Sequence, residues 1–146
     1  SAGYRPGSQA VTGDIDGVPV GLTICYDLRF PALFRSLAEA GAKIITVPSA
    51  FSPETGAAHW EVLLRARAIE NGCYIVAPAQ TGTHPATEGR QRKTHGHSMV
   101  IDPRGEVILD AGTEPGVYFA ALDLSKVDDC RRRLPSLSHG RSFEGP

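Results

Sequence analysis

The chain is expected to fold as an α/β domain, a sheet with helices packed against one face. An early strand–helix–strand run over residues 18–48 predicts a parallel βαβ unit, and later apolar segments joined by short turns predict hairpins. The early strands are almost continuously apolar, so the opposite face of the sheet should be covered too, by a second sheet or by a partner.

Each element follows from its residues. Val11 to Ile15 and Val18 to Cys25 read as strands joined at the turn signal Asp16-Gly17. Pro31 to Ala40 reads as a helix, with proline where the missing N–H costs least and Gly41 as the stop. Lys43 to Pro48 is a short β-branched strand. Ala57 to Asn71 is the strongest helix, with Trp60, Leu63, Leu64 and Ala68 on one face. Cys73 to Ala79 is another apolar strand, and residues 80–95 read as a polar loop. Gly96 to Ile101 and Glu106 to Asp110 flank the turn Asp102-Pro103-Arg104-Gly105. Val117 to Leu122 reads as a last strand, Ser125 to Arg133 as a short helix, and residues 135–146 as an irregular tail.

Composition narrows the classes. A length of 146 residues predicts one domain, and 41% hydrophobic residues exclude wholesale disorder. The formal net charge of -1 argues against a broad nucleic-acid surface. No run approaches the roughly 20 apolar residues of a bilayer-spanning helix, and the opening residues predict no secretory leader. Cys25, Cys73 and Cys130 are odd in number and irregularly spaced, which predicts free thiols in a reducing cytoplasm.

Cys25 closes an apolar strand just before Tyr26-Asp27-Leu28-Arg29-Phe30-Pro31 and a helix. Carboxyl ends of parallel strands are where α/β proteins bind ligands, and a thiolate there can attack an amide, nitrile or ester carbon. Free cysteine is also a common core residue, but Asp27 and Arg29 mark a polar surrounding. Cys73 reads as core and Cys130 as structural. His59, at the start of the long helix, is a candidate substrate contact. His95 and His97 share one strand face with no fixed third ligand, so no metal site is expected. Glu61 pairs naturally with Arg65, and Glu70 with Arg67 or Arg29. Read from residues alone, the chain offers a nucleophile without a visible base.

Three blocks, Gly21 to Phe51, Thr55 to Gln80 and Gly96 to Ile108, together with LDLSKVDDCRRRLP, closely resemble the nitrilase, or carbon–nitrogen hydrolase, superfamily and its Nit branch. The resemblance implies a four-layer α-β-β-α sandwich of which residues 1–146 are the C-terminal half. It implies that Cys25 is the nucleophile, that the Tyr26 backbone N–H lines the oxyanion hole, that Arg29 organises the site, and that Phe51, Thr55 and His59 border the substrate pocket. The family's base glutamate and catalytic lysine precede the cysteine. Here the only acids before Cys25 are Asp14 and Asp16, and the first lysine is Lys43, so both are expected in the missing N-terminal half of the same enzyme. Ala32 replaces a family glutamate that is not the catalytic one.

The implied chemistry is hydrolysis of a non-peptide amide through a cysteine thioester, without metal or cofactor. The implied substrate is a small carboxylate-bearing amide such as deaminated glutathione, with N-carbamoyl compounds or nitriles as alternatives. The implied assembly is a homodimer or higher homo-oligomer, and the 146 residues alone should be inactive. The competing class is a non-catalytic interaction or regulatory half-domain.

Overall fold

A computed structural model of the chain describes residues 3–86 and 88–146. Its main sheet has six strands in the order β1-β2-β3-β4-β7-β8. β1 (Val11–Ile15) and β2 (Val18–Leu22) form the expected antiparallel hairpin. After α1 (Pro31–Glu39), β3 (Ile44–Thr46) pairs parallel to β2, and β4 (Tyr74–Ala77) pairs parallel to β3. β7 (Met99–Ile101) and β8 (Val107–Asp110) return antiparallel. Parallel units first and hairpins last is the arrangement the sequence predicts.

Three local expectations are corrected. Residues 80–95 contain a second hairpin, β5 (Thr81–His84) with β6 (Arg92–His95), rather than only loop. Its strands are mostly polar because they belong to a two-stranded sheet apart from the main one, so the apolar pattern that marks a core strand is missing. Val117 to Leu122 forms no strand; Val117 and Phe119 are exposed, with no neighbouring strand to supply ladder partners. The long helix is subdivided. A single turn, α2 (Pro53–Thr55), leads into a π-helical turn over Gly56–Trp60 and then into α3 (Glu61–Asn71). Beyond α4 (Ser125–Arg133), residues 134–146 contain turns but no helix or strand.

Register sorts the faces. Gly21, Ile45, Ile75 and Ile101 align across the sheet, and the three isoleucines are fully buried. They join Leu28, Phe34, Leu37, Trp60 and Leu64 in one core beneath α1 and α3. Gly21 is needed here because a Cβ would meet Ile45 and Leu37 at 3.1 Å. One residue on, Leu22, Thr46, Val76, Val100 and Leu109 align on the opposite face. Leu22 is 48% exposed and the other four are only partly buried. This apolar row is the face for which a covering layer was expected, and among the described residues it stays partly open.

α4 is tied to the amino ends of β3 and β4. Arg131 donates to the carbonyls of Asn71 and Ala42, and Lys43 pairs with Asp128 at 3.1 Å. The Tyr74 hydroxyl donates to the Asp123 carbonyl and accepts from the Asp123 N–H. No helix among the described residues is long and apolar enough to cross a membrane.

Candidate active site

The site forms where the parallel strands end. Beyond β2 the chain stays hydrogen-bonded to the β3 side, with the Thr23 N–H donating to Thr46 O and the Cys25 N–H to Pro48 O at 2.9 Å. Ser49 then bridges Ala79 in parallel. These bonds hold Cys25 at the carboxyl rim of the sheet, the place where α/β sheets present ligand sites.

Cys25 is not the last strand residue. It opens a 3₁₀ turn over Cys25–Arg29 with φ of 48°. A left-handed conformation at a non-glycine residue is strained and persists only where surroundings over-determine it. Asp27 supplies much of that determination. Its Oδ2 accepts from the Ile24 N–H at 2.9 Å, while its own N–H donates to Ile24 O at 3.0 Å. The sharp bend leaves Cys25 partly exposed. The Tyr26 backbone N–H, the next donor along, has no acceptor among the described residues.

Arg29 gathers the other candidates. Its Nη1 donates to His59 Nδ1 at 3.3 Å, and its guanidinium lies 5.6 Å from the centre of the Tyr26 ring and 5.4 Å from that of Phe51. His59 stands on the π-helical turn, an irregularity that recurs at functional sites because it re-aims side chains. Phe51 is buried against Trp60, ring centres 5.0 Å apart. Thr55 lies on α2, where its N–H and its hydroxyl both bond the Ser52 hydroxyl that caps the turn.

The acids and lysine singled out along the chain are engaged in ion pairs. Glu61 faces Arg65 at 3.8 Å, Glu70 pairs with Arg67 at 3.3 Å, and Lys43 holds Asp128. The choice of partners for Glu70 is thereby decided in favour of Arg67. The Cys25 thiol has no hydrogen-bond partner among the described residues. The other thiols differ in setting. Burial pushes Cys73 up to about 12, and burial, followed by the Asp102 carboxylate, raises Cys130.

A supporting layer was not legible as such. The Trp60 indole N–H donates to His97 O at 2.7 Å. His95 and His97 stack at 4.6 Å, and His97 Nδ1 lies 3.0 Å from Asp110. His95 lies against Gly56, where a Cβ would come within 2.2 Å of its ring. No cluster of three or more metal-ligating side chains occurs among the described residues. Burial, then repulsion from His97, lowers the His95 pKa from its usual 6.5, with Asp110 opposing. The unfolded chain therefore binds this proton at higher pH than the folded one, so stability falls as pH drops below about 6.5. Thermal melts between pH 7.5 and 5 should show a shallower loss for His95→Gln than for the parent. Equal slopes would remove His95 from the account.

Cys25 thus stands partly exposed on a strained turn at the rim of a half-covered α/β sheet. The Carbon-nitrogen hydrolase family model matches residues 4–132, and the chain belongs to that family. It is 51% identical over 120 residues to the deaminated glutathione amidase of Synechocystis, covering 82% of this chain and 43% of that protein. It is 53% identical over 122 residues to the rat protein of the same name, covering 84% and 36%. The Caenorhabditis elegans NitFhit crystal structure superposes with a TM-score of 0.86 at 46% identity, covering 94% of this chain and 32% of that one. Nit3 of Saccharomyces cerevisiae, a branch 10 nitrilase-superfamily member, gives 0.82 at 34% identity, covering 90% and 47%. The chain spans less than half the length of each of these relatives.

Proposed function

We propose that this chain is the nucleophile-bearing portion of a carbon–nitrogen hydrolase that cleaves a small non-peptide amide through a thioester on Cys25. The observation that supports it most is the pairing of a partly exposed Cys25 at φ 48° with the unused N–H of Tyr26. The thiolate adds to the amide carbon, and the carbonyl oxygen takes the negative charge and accepts from that N–H. Collapse breaks the C–N bond, and the amine leaves with the proton taken from the thiol. Water then adds to the thioester, and the acid leaves as the thiol is restored.

The base glutamate and the lysine that would share the oxyanion are assigned to sequence outside these residues; Glu61, Glu70 and Lys43 are held in ion pairs with Arg65, Arg67 and Asp128. The half-covered row from Leu22 to Leu109 fits a partial domain, residues 1–146, that packs against such a segment. Arg29, beside His59, Tyr26 and Phe51, is placed to attract a carboxylate, which favours a small carboxylate-bearing amide such as deaminated glutathione. That substrate is also the one named for the relatives. The working enzyme is assigned as a cytoplasmic homodimer or higher homo-oligomer that needs no cofactor.

Steady-state assay of the purified 146 residues with such an amide should show negligible turnover, because the thiol lacks its activating base. Family-like turnover by this polypeptide would refute the division of catalytic groups.

A further inference from the structure

The carbonyl of Leu28 sits inside the 3₁₀ turn that begins at Cys25, and the chain leaves it without a backbone donor. Phe30 swings out of the turn with φ of -114° and ψ of 88°, and the next residue, Pro31, has no N–H to give. Among the described residues no backbone N–H donates to this oxygen. Left unpaired, a buried carbonyl would let the turn open or reorient toward water.

Arg67 fills the gap. From α3 its Nε and Nη2 both donate to Leu28 O, at 3.1 and 2.9 Å. The third nitrogen, Nη1, meets both carboxylate oxygens of Glu70 at 3.3 Å, and the guanidinium lies 5.6 Å from the centre of the Phe34 ring. Arg67 as a whole is 5% exposed. A buried cation is costly unless it is paired and hydrogen-bonded, and here two of its three nitrogens serve one backbone oxygen, three residues from Cys25. The planar fork suits this task in a way an ammonium does not.

Taking Cys25 as the nucleophile, we propose that Arg67 is the positioning residue of the nucleophile turn. Asp27 clamps the turn where it starts and Arg67 pins it where it ends. Together they set the direction of the thiol relative to the Tyr26 N–H. Arg67 acts through Leu28 O and touches no reacting atom.

The test separates geometry from thiol reactivity. Acylation of Cys25 by p-nitrophenyl acetate develops an oxyanion, whereas alkylation by iodoacetamide displaces iodide at a saturated carbon and develops none. Both rates are measured on the full chain across pH and extrapolated to the thiolate, with peptide mapping to assign the site. Arg67→Gln should slow acylation about tenfold or more, since small misplacements of reacting groups are costly, and leave alkylation within about threefold. Arg67→Lys, with charge but no fork, should fall between. A ratio of the two rates unchanged in folded Arg67→Gln overturns the proposal. If that variant does not fold, Glu70→Gln is used, and an unchanged ratio there and in Arg67→Lys overturns it equally. If acetate fails to map to Cys25 in the parent, the nucleophile reading fails and this proposal with it. Acylation at Cys25 with an unaltered ratio sinks the Arg67 role alone.

Discussion

Cys25→Ala is expected to abolish acyl capture by the chain and, in an enzyme completed with its base and lysine, to lower turnover by a factor on the order of 10³ or more. The folded chain itself protects against mis-assignment. Cys73 is fully buried with its thiol pushed up to about 12, and Cys130 is partly covered with its thiol raised. An electrophile at neutral pH should therefore label Cys25 well ahead of the other two, because the thiolate is the attacking form. Intact mass before and after labelling, followed by peptide mapping, reads this out. Equal labelling of all three cysteines in the folded chain would favour a non-catalytic domain instead.

Trp60→Ala is expected to cost roughly 3–5 kcal/mol of stability, the usual range for removing a large buried aromatic. Trp60 is 1% exposed, packs at a tilt against Phe51 and donates to His97 O. Its loss opens a cavity under the π-helical turn and leaves the partly buried His97 carbonyl without its donor. That turn positions His59 toward Arg29, so the site should loosen with the core. Denaturant titration of the two proteins measures the difference, and an unfolding free energy lowered by less than about 1 kcal/mol would mean that the residues around Trp60 close the void. Trp60→Phe, which keeps one aromatic ring and loses the pyrrole part with its N–H, should fall short of the alanine cost.

Much of this was legible along the chain, because strand and helix periodicity are local properties. The order of parallel and antiparallel units followed from where apolar runs alternate with helical spacing and where turn residues intervene. Cys25, Tyr26 and Arg29 were found as a contiguous run, and His59 as a residue at a helix start. The β5–β6 hairpin was missed because its strands are mostly polar and its partner is not a core strand. Asp27 was read only as a charge beside the cysteine, not as the clamp it forms on Ile24.

The sequence by itself determined the family pattern, the early parallel units and later hairpins, and the position of Cys25 between an early strand and the helix that follows. Tertiary structure alone decided what holds that thiol in place. Arg67 lies 39 positions from Leu28, and nothing in local spacing connects them. A proline that withholds an N–H creates the need at one point of the chain, and a guanidinium meets it from another. Only packing α3 against the nucleophile turn brings the two together, because hydrogen-bond satisfaction of buried groups is settled across the whole fold rather than within a segment.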